Sequence, residues 1–280
     1  MQLNYYPYDF HLHTHFSDGV LSPEALVDLA KEKGVLHLAL TDHDTTAGTE
    51  RARIHAEKQG IRFTPGVEIS ADWNGKVIHI LGLDIDTTNV ELANFLKQIQ
   101  DIRYLRLQEM LAKLKKCRIE FPPDSFPAVE GLSYGRMHIA MALVKKEVVG
   151  KLASAFKQYL ARGRRAYVAT EWPSLESVVE VILKAGGIPV IAHPRRYKIS
   201  FKRLTELADD FKAAGGRGIE LATPNQSPDD QRLIYSLAQE KDFLLSQGSD
   251  FHYPEGYAKP GMTGGMPEGK YVWESFGTVY

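Results

Sequence analysis

The sequence predicts an α/β fold in which repeated strand–helix units close into a (β/α) barrel of seven strands, interrupted by a helical insert. Three observations carry this. Short apolar runs bounded by turn residues alternate with amphipathic stretches at helical spacing, the rhythm of parallel βαβ units. The rhythm stops between residues 86 and 170, where long helical patterns take over, and then resumes. Polar residues able to do chemistry recur at strand C-terminal tips, which converge in a closed barrel.

The first element is Asp9-Phe10-His11-Leu12-His13-Thr14-His15, whose extended reading sends the His11 and His13 side chains the same way, with Asp18 after the following turn. Ser22-Pro23-Glu24 starts a short helix ended by Gly34, through an N-cap, a first-turn proline and a first-turn acid. Val35 to Thr41 reads as a buried strand delivering Asp42-His43-Asp44, and a helix from about Thr46 to Gln59 ends at Gly60. Strand Ile61 to Val67 places Glu68 at its tip, and strand Lys76 to Leu83 contains His79.

The insert opens with a long amphipathic helix, Thr88 to Arg118, broken by Phe121-Pro122-Pro123; helical stretches Arg136 to Val149 and Leu152 to Arg162 precede an extended Tyr167-Val168. Helix Ser174 to Lys184 then leads to strand Ile188 to Ala192 and His193-Pro194. Helix Phe201 to Ala214, strand Gly218 to Ala222, helix Pro228 to Glu240 and strand Phe243 to Gln247 follow, the last ending in Gly248-Ser249-Asp250-Phe251-His252. Gly256 to Gly269 is expected to be a surface loop. Residues 1–85 and 171–280 are thus expected to form the barrel, and 86–170 an inserted helical subdomain.

With 280 residues, 44% of them apolar, the chain can bury one large core or two modest ones. Its net charge of −1 hides an asymmetry: residues 86–170 carry 15 Lys and Arg against 8 Asp and Glu, a net of +7, which leaves −8 elsewhere. An anion-binding insert over a cation-binding centre fits this, as do plain solvated helix faces. The lone Cys117 excludes an internal disulfide framework and a thiolate cluster, so any metal must be held by nitrogen and oxygen. No stretch approaches a membrane span and Met1 to Asp9 has no basic or apolar leader, so a soluble, cytoplasmic protein is expected, with no obligate protein partner evident.

Six of the ten histidines, His11, His13, His43, His79, His193 and His252, fall at or near strand tips beside Asp18, Glu68 and Asp250. Nine such ligands are too many for one ion but suit three that share a bridging carboxylate, for which Glu68 is the natural candidate. Any one of them, His79 above all, could instead be a satisfied core residue.

These segments resemble the polymerase and histidinol phosphatase (PHP) family of metal-dependent phosphoesterases. The resemblance rests on His11-Leu12-His13 with Ser17-Asp18-Gly19, Thr41-Asp42-His43-Asp44, Gly66-Val67-Glu68-Ile69-Ser70, His79-Ile80-Leu81-Gly82-Leu83, Ala192-His193-Pro194 and Gly248 to His252, and so spans nearly the whole chain. Within the family the chain is most similar to the branch of RNase AM and the 3′,5′-nucleotide bisphosphate phosphatases. That branch also has a helical insert, here carrying Tyr159-Leu160-Ala161-Arg162-Gly163, and an Ala-His-Pro-x-Arg-Tyr motif, here Ala192 to Tyr197.

The resemblance implies a distorted (β/α)7 barrel holding a trinuclear centre, usually manganese. By motif, His11, His13, Glu68 and Asp250 would hold the first ion, Glu68, His79 and His193 the second, and Asp18, His43 and His252 the third; His15 stands outside the set. Asp42 reads as a group orienting a histidine or as a helix-capping acid. Arg136 and His138 match the insert motif that faces the metals, with Arg195 and Arg196 at the same rim as further phosphate ligands; Arg162, Arg164 and Arg165 lie near the insert's end. The expected chemistry is hydrolysis by a metal-generated hydroxide, with Arg136 neutralising oxyanion charge and His138 either a general acid or a clamp. The implied substrates are 5′-phosphorylated RNA or short oligonucleotides, cut from 5′ to 3′, and nucleoside 3′,5′-bisphosphates, dephosphorylated at the 3′ position. A small-molecule monoesterase such as histidinol phosphatase and a non-catalytic metal-binding module are the competing readings.

Overall fold

The computed structural model describes residues 4–5, 7–126, 129–224 and 226–277. Its elements in chain order are β1 (Asn4–Tyr5), β2 (Tyr8–Asp9), α1 (Pro23–Glu32), β3 (His37–Leu40), α2 (Thr49–Gln59), β4 (Arg62–Trp73), β5 (Lys76–Leu83), α3 (Val90–Lys116), α4 (Arg136–Lys145), α5 (Leu152–Ala155), α6 (Leu175–Lys184), β6 (Ile188–Ile191), α7 (Phe201–Ala213), β7 (Gly218–Ala222), α8 (Pro228–Glu240), β8 (Leu244–Gln247) and β9 (Gly265–Met266). Side-chain oxygens of Ser22, Asn89, Ser174, Ser200 and Ser227 accept from backbone N–H groups at the starts of α1, α3, α6, α7 and α8, which sets where those helices begin.

Strands β2 to β8 pair side by side in sequence order. The first and last then meet: Phe10 N–H donates to the Gln247 carbonyl at 3.1 Å, Asp250 N–H to His11 at 2.8 Å and His13 N–H to Phe251 at 3.0 Å. The result is a distorted seven-stranded barrel. Phe10, Ala39, Leu81, Leu83, Ile188 and Val190 fill its interior, while α6, α7 and α8 cover one outer face and α1 and α2 another.

One strand departs from the parallel expectation. β5 runs antiparallel to both β4 and β6. The cause is local: only Asn74 and Gly75 separate β4 from β5, with φ of 52° and 74°, the two-residue hairpin that an Asn-Gly pair favours. The hairpin reverses the chain without a crossover helix, so β5 brings His79 to the tips from the opposite direction.

In the insert, Leu92, Leu96 and Ile99 on the first turns of α3 pack on the barrel, whereas Leu107, Met110 and Leu114 build a second core with Ile139, Leu143, Leu160 and Val168. The later helical stretches are shorter than the sequence suggests. α4 stops at Lys145, where Glu147 takes a left-handed φ of 57°, and α5 passes into a five-residue π-turn, Phe156–Leu160. The Gly256 to Gly269 stretch is no simple surface loop, since Thr263 and Met266 are buried and β9 pairs antiparallel with β1. Among the described residues no helix is long and apolar enough to cross a membrane; the leader reading of Met1 to Asp9 falls partly on residues 1–3 and 6, outside them.

Candidate metal centre

All nine sequence-nominated ligands converge on one cluster, seven of them in the segments that follow β2, β3, β6 and β8. Glu68 is not at a strand tip as expected but inside β4, which runs on to Trp73, and His79 lies inside β5. Two of the tips use unusual backbone: His193 (φ 27°) and Asp250 (φ 51°) lie in the left-handed region that non-glycine residues seldom occupy. Gly248 is needed for the convergence, because a Cβ there would sit 2.2 Å from the His11 Cβ.

Glu68, fully buried, divides the cluster with its two oxygens. Oε2 lies 3.1 Å from His11 Nε2, 3.3 Å from His13 Nε2 and 2.9 Å from His43 Nδ1. Oε1 lies 2.9 Å from both His79 Nδ1 and His193 Nε2. Asp250 Oδ1 is 3.0 Å from His13 Nε2, and Asp18 Oδ1 is 3.1 Å from His252 Nε2. Three groups have ligand atoms within 4.8 Å of one another: His11, His13, Glu68 and Asp250; His43, Glu68 and His79; and His13, Asp18, His43 and His252. The first group matches the motif-based division. His43 lies between the other two, with Nδ1 towards Glu68 and Nε2 3.7 Å from Asp18, while His15 is exposed and outside all of them.

The donor set fits divalent cations. Buried atoms of His11 (Nε2), Asp18 (Oδ1), His43 (Nδ1) and Glu68 (Oε2) make no hydrogen bond of good geometry among the described residues, a concentration of lone pairs that burial makes costly without a cation. Burial lowers the pKa of His13, His193 and His79, the last to about 4, which keeps them in the neutral form that ligates. Against the upward push of burial, His43, His11 and His79 hold the Glu68 carboxyl well below its ordinary range.

A second layer fixes these ligands, and the sequence reading missed its chief member. Glu220, buried in the middle of β7, accepts from His11 Nδ1 at 2.9 Å and from the His193 N–H at 2.6 Å, aiming His11 Nε2 into the cluster. With Glu68 it also raises His11, despite burial, to about 10. Asp42 neither orients a histidine nor caps a helix. It accepts from the Thr14 N–H and the Ser17 hydroxyl, both at 2.6 Å, and so shapes the turn that carries Asp18.

A cleft of about 250 Å3 opens between this cluster and the insert, lined by Asp18, His43 and His79 on one side and by Arg103, Arg106 and Arg136 on the other. Arg103 is committed to Asp44, Ser70 and the Tyr134 carbonyl. Arg106 and Arg136 form no ion pair with a carboxylate among the described residues. Burial and the neighbouring Arg136 and Arg103 push the Arg106 guanidinium down to about 10, and burial lowers Arg136 as well. Phe156, Tyr167 and Trp172 complete the wall.

The other nominated residues are placed differently. His138 Nδ1 accepts from the Gly135 N–H at 3.0 Å and braces the first turn of α4. Arg195 Nε donates to Asp230 at 2.6 Å, and Arg196 donates to Asp250. The Arg162, Arg164 and Arg165 group does not line the cleft.

Comparison with known proteins points the same way. The chain matches the PHP domain family over residues 9–188. It is 41% identical over 273 residues to a 5′-3′ exoribonuclease of Haemophilus influenzae, covering 96% of this chain and 98% of that protein. It is 39% identical over 262 residues to a 3′,5′-nucleoside bisphosphate phosphatase of Chromobacterium violaceum, covering 92% of each. A solved structure of an amidohydrolase from Chromobacterium violaceum with bound sulfate superposes with a TM-score of 0.87 at 36% identity, over 97% of this chain and 96% of that one.

Proposed function

This chain belongs to the PHP domain family, and on that premise we propose that it is a 5′-to-3′ exoribonuclease that also removes the 3′-phosphate of nucleoside 3′,5′-bisphosphates. Relatives of both activities cover more than nine-tenths of the chain. The observation that carries the substrate assignment is the pair Arg106 and Arg136: two half-buried guanidiniums without carboxylate partners among the described residues, lining the same cleft as Asp18, His43 and His79. Such cations facing a cation-binding cluster call for a polyanion between them, and a planar guanidinium suits phosphate.

We assign His11, His13, Glu68 and Asp250 to one divalent ion, Glu68, His79 and His193 to a second, and Asp18, His43 and His252 to a third, with His43 within reach of the second as well. The ions are taken to be manganese and the site of action the cytoplasm. When bound, such ions supply Lewis acidity and make water nucleophilic near neutral pH. Arg106 and Arg136 hold the terminal 5′-phosphate, which sets the next phosphorus at the cluster. Water adds its oxygen to that phosphorus as the P–O3′ bond breaks, and O3′ leaves with a proton. On a bisphosphate this yields a 5′-nucleotide and inorganic phosphate. On RNA the same bond breaks, releasing a 5′-nucleotide and leaving the phosphate as the new 5′ end. His138 acts by bracing the turn that presents Arg136.

The direct test compares one short RNA with a 5′-phosphate and with a 5′-hydroxyl, in manganese. Loss of the phosphate leaves these charges unpaired and is expected to cost about 2–5 kcal/mol in kcat/KM. Equal rates on both, or nucleotide release from the 3′ end, would overturn the register.

A further inference from the structure

A second cavity, of about 210 Å3, abuts the ligand cluster at different strand tips and shares no lining residue with the insert cleft. It touches the cluster through His193 and is otherwise walled by Arg195, Arg196, Thr223, Gln226 and Asp230, from the loops after β6 and β7 and the start of α8. We propose that this cavity binds the nucleotide immediately 3′ to the scissile phosphate of a single-stranded substrate. The proposal rests on the phosphoester reading above and extends it to what separates a polynucleotide from a bisphosphate.

The lining has the chemistry for it. Gln226 Oε1 is taken by the Thr223 N–H at 3.3 Å and the Thr223 hydroxyl at 3.2 Å, which leaves the NH2 as the amide's remaining polar group. That Nε2 is buried and makes no hydrogen bond among the described residues, although an amide donor in such a place needs an acceptor. Ring nitrogens and carbonyl oxygens of a nucleobase supply one. Arg195 gives Nε to Asp230, and Arg196 gives one terminal nitrogen to Asp250, so neither spends its whole fork of donors within the protein. Arg196 thereby links a nominated metal ligand, Asp250, to the wall of the cavity.

A bisphosphate has nothing beyond its 3′-phosphate, whereas RNA has a ribose, a base and a further phosphate. Filling or disarming the cavity therefore has to affect one substrate and spare the other. Gln226→Ala removes the amide and Thr223→Tyr occupies the space; neither residue touches the cluster or the insert cleft. Each variant is assayed against a 5′-phosphorylated pentaribonucleotide and against adenosine 3′,5′-bisphosphate, with metal content and thermal unfolding checked in parallel. The expected result is a loss of about tenfold in kcat/KM on the pentanucleotide, corresponding to one well-made contact, with the bisphosphate unchanged within about twofold. Equal losses on both substrates would place the cavity on the 5′ side, and no loss on either would make it a bystander; both outcomes overturn the proposal. A wild-type protein that hydrolyses neither substrate would instead defeat the phosphoester reading itself.

Discussion

Arg103 Nε stands 2.5 Å from Asp44 Oδ2, both side chains buried, and this one pair ties the insert to the barrel at the edge of the metal cluster. Asp44 adjoins His43 and also accepts from the Ser70 N–H at 2.7 Å, while the remaining Arg103 donors reach Ser70 Oγ at 3.0 Å and the Tyr134 carbonyl at 3.1 Å. The guanidinium thus spans the segment after β3, the body of β4 and the segment leading to Arg136. Removing it as Arg103→Leu strands a buried carboxylate and should destabilise the protein by about 3–5 kcal/mol in denaturant unfolding. A change under about 1 kcal/mol would mean that Asp44 finds other partners.

Metal analysis of the purified protein should give about three divalent ions per chain, since the ligand atoms fall into three groups, two of which share Glu68, and a chelator should abolish turnover. Glu68→Gln keeps the shape but weakens both groups at once, so metal content and activity should fall together. Full occupancy and normal turnover in that variant would remove Glu68 from the bridge.

Glu220 offers a sharper test, because it belongs to none of the three ligand groups. Glu220→Gln should lower metal affinity by about 10–100-fold through the misaimed His11 and His193, with the fold intact by circular dichroism. Unaltered affinity would show that the strand backbone alone aims the two histidines.

Arg106→Ala and Arg136→Ala should each raise KM for 5′-phosphorylated RNA by about tenfold or more while leaving metal content unchanged. Each should also reduce the slope of log affinity against log salt by about one unit or less. A variant that loses metal would assign its arginine to the architecture of the cluster.

His37 supplies a pH prediction away from the centre. Burial, then the charge of Arg62, depresses its imidazole to about 3, and its ring packs edge-on against Phe10 while Nε2 meets Thr64 Oγ1 at 2.7 Å. The unfolded chain takes up that proton below about pH 6.5 and the folded one does not, so His37 disfavours folding as pH falls from about 6.5 towards 3, by at most about 1.4 kcal/mol per pH unit. NMR of the ring should show no titration above pH 4, and the stability difference from His37→Leu should change across that window. A ring that titrates near 6.5 in the folded protein would sink the argument.

Much of the site is legible in the sequence because strand tips are. His11, His13, His43, Glu68, His193 and Asp250 each end an apolar run, and a barrel must gather such ends. Glu220 escapes that logic: it lies inside the apolar run Gly218-Ile219-Glu220-Leu221-Ala222, where only the neighbouring histidines explain a buried acid. Arg103 and Arg106 are hidden for the opposite reason, as two cations among the many on an amphipathic helix, with nothing local to say which face meets the barrel. The reversed β5 had a signal in Asn74-Gly75, but strand–helix alternation elsewhere argues for parallel pairing, and hairpins and crossovers differ only in the connection.

The seam that closes the barrel joins residues far apart along the chain: Asp9 accepts from the Ser249 N–H at 2.9 Å and the Gly261 N–H at 2.7 Å, across some of the longest sequence separations in the fold. During synthesis β2 therefore waits for its seam partners until the segment around Ser249 has left the ribosome. His11 and His13 emerge early but acquire Asp250 and His252 only at that late step. A nascent chain consequently cannot complete its ion-binding cluster before Asp250 and His252 have emerged, and the activity is withheld until then.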